Sequence, residues 1–200
     1  MWVKLGRMET LTDNQSARVF FALWPTAVES ERLGSWQVSL MNLTGGRPMR
    51  GETLHATLAF IGEVDSAKLE ALQLAAREVS AGDFILCFDE ARYWGHNHII
   101  YAAPGHPPQK LAQLVDALEH SLKKHQCKFD QREYQPHITL LRNAYWSDAA
   151  LPVMQPVCWQ ISDFALVQSV LQDGLSGYRV LARFPLASIP KTACHNPALK

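Results

Sequence analysis

One four-residue motif occurs twice in this chain, and the repeat constrains the fold more than any other feature. It reads His-x-Thr-Leu at 55–58 and again at 137–140, and each copy lies in a short apolar run typical of a strand. Alternate side chains of a strand point to opposite faces, so the His and Thr of each copy share one face. The same period predicts that the intervening residues turn into a core: Ala56, Leu58, Phe60, Ile138 and Leu140.

The two motifs lie 82 positions apart, and the strands before them repeat at nearly the same distance. Val19-Phe20-Phe21-Ala22 resembles Ile99-Ile100-Tyr101-Ala102, which lies 80 positions further on. Each half is therefore predicted to run strand, helix, histidine strand and further strands. Such a duplication packs best as two lobes about a pseudo-twofold axis, with the histidine strands facing each other across a central cleft.

Hydrophobic periodicity and turn residues predict an α+β fold with antiparallel sheets and outer helices. One helix begins at Pro25-Thr26 and continues to about Met41, a second begins at Asp65-Ser66, and a third follows Pro107-Pro108 and ends near His125. The first helix is expected to bury Val28, Leu33, Trp36 and Leu40. Besides the histidine strands, we expect strands at 18–24, 84–88, 91–94, 98–103, 157–161, 164–171 and 178–184, the last two joined by a turn at Asp173-Gly174.

Size and composition indicate one globular domain. The chain has 200 residues, of which 48% are hydrophobic, enough to bury a substantial core. We expect a flexible leader at 1–16, a single bilobal domain at 17–188 and an irregular tail at 189–200. The 19 basic residues balance the 19 acidic ones, so a broad surface for duplex nucleic acid is not indicated.

Cysteine usage and hydropathy bear on the compartment. Cys87, Cys127, Cys158 and Cys194 show no closely paired spacing, and we expect them to be reduced and mostly buried thiols. No uninterrupted apolar stretch approaches 18 residues, and the first residues lack the apolar core of a signal peptide. We therefore expect a cytoplasmic protein that does not associate with a membrane.

The residues around both motifs resemble the 2H phosphoesterase superfamily, and in particular its bacterial RNA 2′,3′-cyclic phosphodiesterases, also called 2′-5′ RNA ligases. The likeness covers nearly all of 18–186. It includes the opening strand Arg18 to Leu23, the block Leu54 to Val64, the block Pro136 to Arg142 and the closing stretches 168–178 and 181–186. Many members carry an aromatic residue and a Val before the first motif, where this chain has Arg47-Pro48-Met49-Arg50, and often a basic residue where it has Gln135.

The resemblance implies hydrolysis of RNA 2′,3′-cyclic phosphates to 2′-phosphomonoesters, together with reversible 2′-5′ ligation. By the family's assignment His55 is the proton donor and His137 the proton acceptor, although the sequence itself does not orient the two roles. Histidine suits both because its ordinary pKa of about 6.5 leaves both forms populated near neutrality. Thr57, Thr139 and Arg142 are expected to bind the phosphate oxygens.

Acid, base and phosphate-binding groups are thus all protein side chains, so no metal and no other cofactor is expected. The expected partners are RNA 3′ ends or small cyclic nucleotides, bound by a monomer. Three alternatives stay open. His96, His98 and His106 are candidate ligands of a metal hydrolase, the fold could serve a non-catalytic nucleotide-binding module, and the substrate could be another cyclic phosphate or a 2′-5′ oligonucleotide.

Overall fold

A computed structural model describes residues 16–146, 151–172 and 175–188. The predicted tail, the turn at Asp173-Gly174 and all of the predicted leader except Ser16 lie outside these residues. The described residues form three α-helices, α1 (Ala27–Thr44), α2 (Ser66–Arg77) and α3 (Gln109–Lys124), and one short 3-10 helix at Gly51–Thr53. The strands are β1 (Ala17–Leu23), β2 (Arg47–Pro48), β3 (Ala56–Val64), β4 (Phe84–Phe88), β5 (Glu90–Trp94), β6 (Ile99–Ala103), β7 (Ile138–Arg142), β8 (Val157–Ile161), β9 (Asp163–Gln172) and β10 (Leu175–Pro185).

The main sheet carries both histidine strands at its centre. Its order is β10-β9-β1-β3-β7-β6-β5, with β2 paired to β7, while β4 and β8 form a separate two-stranded sheet. All of these strand pairs are antiparallel. The predicted α+β class with antiparallel sheets is therefore confirmed.

Local sequence signals explain where the helices begin and end. The Asp65 side chain accepts a hydrogen bond of 3.0 Å from the Lys68 backbone N–H, which caps α2 at the predicted residue. At the end of α1, Gly45 takes a φ of 64° that a side chain would disfavour, and its N–H donates to the Met41 carbonyl. Among the described residues, no helix combines the length and the apolar composition needed to cross a membrane.

The helices pack an apolar face against one side of the main sheet. On α1, Leu33, Trp36 and Leu40 are buried as predicted. The prediction for Val28 is wrong, because this residue lies in the first turn of α1, before the helix reaches the core, and is 56% exposed. The core continues through the buried residues of β3 and β7 that alternate with the motif side chains.

The cysteine prediction is wrong for two of the four residues. Cys87 on β4 and Cys158 on β8 lie directly opposite each other and form a disulfide. The pairing of these strands brings together two residues that are 71 positions apart, which no sequence spacing indicates. Cys127 is a free, partly buried thiol, and Cys194 lies outside the described residues.

The pairing registers of the two halves resemble each other. Ala22 on β1 lies opposite Thr57, and Tyr101 on β6 lies opposite Thr139. In both strand pairs the register shifts immediately after the Thr of the motif. The Leu that follows, Leu58 in β3 and Leu140 in β7, has no partner on the neighbouring strand. By these registers, Ala22 in the first half corresponds to Tyr101 in the second half. The sequence comparison aligns Ala22 with the next residue, Ala102. The registers support the predicted duplication, and the pseudo-twofold axis itself stays a prediction.

Candidate active site

A single strand contact brings the two motifs together. Ala56 of β3 pairs with Ile138 of β7, and both side chains are fully buried. One step on either side of an antiparallel pair, the residues of the two strands again lie opposite each other. This register places His55 across from Thr139 and Thr57 across from His137, on the face opposite the core.

These four side chains line one small cavity of about 150 Å³, as the sequence predicts. Its remaining lining residues are Met49, Thr53, Arg142 and Tyr178. Among the described residues of this lining, the Arg142 guanidinium is the one permanently charged group, and none is a carboxylate. Two imidazoles, hydroxyl groups and a guanidinium around a space of this size suit a phosphate-sized anion.

Arg142 reaches the cavity because β7 contains a bulge. Strict alternation would send Arg142, three residues after Thr139, to the opposite face of the sheet. Ile100 pairs with Leu141 and Tyr101 pairs with Thr139, which leaves Leu140 as the extra residue. Arg142 is the last residue of β7, and the bulge places it on the same face as His137 and Thr139.

A bulge of the same kind occurs in β3, and because of it the prediction that Phe60 turns into the core is wrong. Phe21 pairs with Ala59 and Ala22 pairs with Thr57, so Leu58 is the extra residue. Phe60 consequently shares a face with Thr57. It packs with Phe20 in a small cluster on the cleft side, separate from the main core. The Arg18 guanidinium lies 5.0 Å from the centre of its ring.

Both histidines are oriented by backbone carbonyls two residues earlier. His55 Nδ1 lies 2.7 Å from the Thr53 carbonyl oxygen, and His137 Nδ1 lies 2.8 Å from the Gln135 carbonyl oxygen. Because a carbonyl oxygen only accepts, Nδ1 of each ring carries the proton and donates it in this contact. The neutral tautomer that results leaves each Nε2 as the nitrogen available to exchange a proton with a ligand.

Aromatic rings surround each imidazole. Trp24 stacks on His55 at 5.2 Å between ring centres, and the Phe20 and Tyr178 rings lie 4.8 and 5.0 Å away. On the other side, Trp94 meets His137 edge-on at 4.6 Å and Tyr101 lies 5.8 Å away. Nothing in the motif spacing indicates these rings; the only signal for Tyr178 is its place in the family's closing block.

Burial among these rings favours the neutral form of both histidines when the cavity holds no ligand. Burial lowers the pKa of His55 to about 4, and the positive charges of His137 and Arg142 lower it further, against the raising effect of the Thr53 carbonyl. Burial also lowers the pKa of His137, while its contact with the Gln135 carbonyl works in the opposite direction. An anion in the cavity would favour the charged form of both rings.

A larger groove adjoins the cavity on the His137 side. Its volume is about 450 Å³, and it shares Thr57 and His137 with the cavity. Phe60, Trp94 and Asn97 also line it.

The histidines of the metal alternative do not converge. His96 lines the groove beside His137, whereas His98 Nδ1 lies 3.0 Å from the Tyr93 hydroxyl and its ring packs against Tyr145. His106 is exposed. Within the part of the chain that the structure describes, no three His, Cys, Asp or Glu side chains are grouped so that they could bind a metal ion.

Known proteins resemble this chain in both sequence and fold. The family model of the 2′-5′ RNA ligase superfamily matches residues 24–173. The RNA 2′,3′-cyclic phosphodiesterase of Escherichia coli K12 is 31% identical over 173 residues, which cover 86% of this chain and 98% of that protein.

Solved structures agree with this match. The crystal structure of E. coli LigT complexed with 3′-AMP has a TM-score of 0.78 and 31% identity, covering 86% of this chain and 99% of that one. At 22% identity, TT0787 of Thermus thermophilus shows the same fold, with a TM-score of 0.68 over 86% of this chain and 98% of that one. The chain belongs to the 2′-5′ RNA ligase superfamily of 2H phosphoesterases, as its two His-x-Thr-Leu motifs predicted.

Proposed function

We propose that this protein hydrolyses RNA 2′,3′-cyclic phosphodiester ends to 2′-phosphomonoesters, with His55 as proton donor and His137 as proton acceptor. The observation that carries the proposal is the cavity itself. It brings together two imidazoles that each donate from Nδ1 to a backbone carbonyl, the hydroxyls of Thr57 and Thr139 and the Arg142 guanidinium, and its described lining holds no carboxylate. The curated relative from E. coli, an RNA 2′,3′-cyclic phosphodiesterase, supports the choice of substrate.

The proposed reaction is an in-line displacement at phosphorus. A water oxygen bonds to phosphorus while its proton passes to Nε2 of neutral His137. The bond from phosphorus to O3′ breaks, and Nε2 of protonated His55 gives its proton to O3′. The products are a 2′-phosphate and a free 3′-hydroxyl, and a proton exchange with solvent restores the histidines.

The non-bridging oxygens are bound by the groups beside the histidines. Thr57 and Thr139 each lie two residues after a histidine on the same strand face and donate through their hydroxyls. Arg142, turned inward by the bulge, contributes the positive charge. Such donors act most strongly when charge accumulates on the phosphorane-like transition state in an enclosed site. Since acid, base and anion-binding groups are all side chains of this chain, the proposal requires no metal and no other cofactor.

The donor role of His55 depends on the substrate. Its pKa of about 4 leaves the free ring neutral at pH 7. A cyclic phosphate carries one negative charge, and placing it next to His55 stabilises the imidazolium. The substrate therefore brings about the protonation that its own leaving group needs.

The substrate class, the location and the oligomeric state belong to the same proposal. RNA 3′ ends or small cyclic nucleotides are the proposed ligands of a cytoplasmic monomer. Because Cys87 and Cys158 are bonded, cysteine usage no longer supports a reducing compartment, and the proposed location depends on the RNA substrate alone. Another cyclic phosphate or a 2′-5′ oligonucleotide remains the alternative substrate, since the cavity accounts only for the phosphate.

The test is incubation with RNA that ends in a 2′,3′-cyclic phosphate, in EDTA and without ATP, followed by identification of the phosphomonoester. We expect a 2′-phosphate from the wild type and no turnover from His55→Ala or His137→Ala. His106→Ala is the matched control, since this exposed histidine lies away from the cavity. A 3′-phosphate product would contradict the proposed leaving group, and full activity in either cavity variant would exclude that histidine from catalysis.

A further inference from the structure

The β4–β8 ribbon, the two-stranded sheet formed by β4 and β8, carries its disulfide on the side that faces solvent. Cys87 and Cys158 lie directly opposite each other and are partly exposed. Because side chains alternate along a strand, the two cysteines share their face with Ile85 and Gln160, which are both exposed. The other face of the ribbon is buried and consists of Phe84, Leu86, Phe88, Val157, Trp159 and Ile161. The disulfide is therefore accessible to thiols while the ribbon stays folded.

We propose that the Cys87–Cys158 disulfide is a reversible redox switch, which cellular thiols reduce and re-form in the folded protein. Its state sets how readily the segment between the two cysteines opens, and the chemistry of the phosphate cavity is the same in both states. The inference rests on the proposed function in one respect, because the proposed cytoplasmic location follows from the RNA substrate.

A solvent-facing disulfide in a cytoplasmic protein is expected to be labile. Glutathione and protein dithiols keep thiols reduced in that compartment, and the disulfides that do occur there are mostly transient or redox-sensing. Exposed disulfides are also reduced more easily than buried structural ones. The position of this bond on the outer face of the ribbon therefore favours a bond that opens and closes over a purely structural one.

The ribbon has contacts that hold it together after reduction. Five residue pairs, from Phe84–Ile161 to Phe88–Val157, form its backbone ladder. On the inner face the Phe88 ring stacks on the Trp159 ring at 5.4 Å between centres, and both strands pack into the main core. These contacts involve neither sulfur, so the two thiols stay opposite each other after reduction. Re-formation of the bond is then intramolecular, which makes the switch reversible.

The disulfide joins the two ends of the segment that carries the second half of the site. The cysteines are 71 positions apart, and β5, β6, α3 and β7 lie between them, with His137, Thr139 and Arg142. In the main sheet, β7 joins this segment to the first half of the chain through one residue pair with β3 and two with β2. Closing so long a loop restricts the open states of the segment much more than the native one. Reduction therefore makes opening easier and leaves the geometry of the cavity unchanged.

The exchange reaction balances with two thiols as the reductant. A thiolate of the reductant attacks one cysteine sulfur, the protein disulfide breaks, and the departing cysteine thiolate takes up a proton. A second thiol of the reductant then attacks the mixed disulfide and releases the other cysteine. Two electrons pass to the protein, which gains two thiols, and the reductant becomes a disulfide. Oxidised glutathione reverses both steps.

The first experiment measures whether the disulfide exchanges in the folded, full-length enzyme. The protein is equilibrated without denaturant in buffers of graded ratios of reduced to oxidised glutathione. Free thiols are then alkylated and assigned to positions by mass spectrometry. We expect Cys87 and Cys158 to become alkylated together as the ratio rises, and to be protected again when the ratio is reversed. The free thiol of Cys127 is the internal reference, since it takes no part in the bond.

The second experiment measures opening by limited proteolysis under native conditions. We expect cleavage within 88–157 to be about tenfold or more faster in the reduced protein, because proteolysis follows the population of open forms. The double variant Cys87→Ser/Cys158→Ser should be cleaved at the reduced rate in every buffer, whereas the matched control Cys127→Ser should follow the wild type. We expect kcat/KM for a cyclic phosphate to stay within about twofold in all of these forms.

Three results would overturn the inference. They are a disulfide that is reduced only after urea is added, equal cleavage of the oxidised and reduced proteins, and a kcat/KM that falls on reduction, which would mean that the bond controls the cavity itself. An enzyme without hydrolysis in either state would refute the proposed function, while alkylation and proteolysis would still decide the switch. If the double variant fails to fold, the reduced wild type provides the same comparison.

Discussion

The lowered pKa of His55 can be tested directly in the free protein. With a pKa of about 4, roughly one molecule in a thousand carries a protonated His55 at pH 7. Protonating the ring at that pH costs about 4 kcal/mol. A negative charge about 4 Å away, at an effective dielectric constant near 20, stabilises the protonated ring by about 4 kcal/mol. One phosphate charge is therefore enough to make His55 an acid at neutral pH.

The assay is NMR titration of the histidine ring signals with and without inorganic phosphate. We expect the His55 midpoint near 4 in the free protein and a clear upward shift when phosphate occupies the cavity. The variant Arg142→Gln should also raise the midpoint, because it removes one of the positive charges that lower this pKa. Arg183→Gln, which alters an exposed arginine paired with Asp163, is the control and should leave the midpoint unchanged.

The same pKa predicts how stability depends on pH. The folded pKa lies below the ordinary value of about 6.5, so the unfolded chain binds more protons between pH 4 and 6.5. His55 therefore contributes stability that is fully present above about 6.5 and is lost as the pH falls through 4, up to about 3 kcal/mol. His55→Phe should flatten this part of the curve of unfolding free energy against pH. A His55 midpoint at or above 6, or an unchanged curve in His55→Phe, would refute the reasoning.

Three further predictions concern other parts of the molecule. Arg142→Gln should lower kcat/KM for a cyclic phosphate by about 100-fold or more without changing the melting temperature, and a loss below threefold would remove Arg142 from the site. Reducing the Cys87–Cys158 disulfide, which closes a loop of 71 residues, should cost up to about 4 kcal/mol in urea unfolding while kcat/KM is retained; equal unfolding midpoints would contradict this. Gly46→Ala should destabilise by about 1–3 kcal/mol in thermal unfolding, because φ is 91° there and a Cβ would lie 3.0 Å from the Arg142 carbonyl; an unchanged melting temperature would count against the strain.

Much of the fold could be predicted because local signals and the packed structure agree. The apolar stripe of α3 and the Asp65 cap of α2 each indicate an element that the structure contains at nearly the predicted bounds. That the His and Thr of each motif share one strand face follows from the two-residue period of a strand alone. The disulfide was missed for the opposite reason, since Cys87 and Cys158 become neighbours only through the pairing of β4 with β8.

The two bulges mark the point at which prediction from periodicity ends. A strand pattern read from sequence assumes that the period of two is unbroken, and a single extra residue exchanges the faces for everything beyond it. Leu58 and Leu140 are those residues, so Phe60 and Arg142 face the cleft although the unbroken period sends both away from it. The leucine is therefore a functional part of each motif through its backbone. The unpaired leucine interrupts the alternation two residues after Ala56 or Ile138. As a result, the Phe60 ring in the first half and the Arg142 guanidinium in the second half face the cleft.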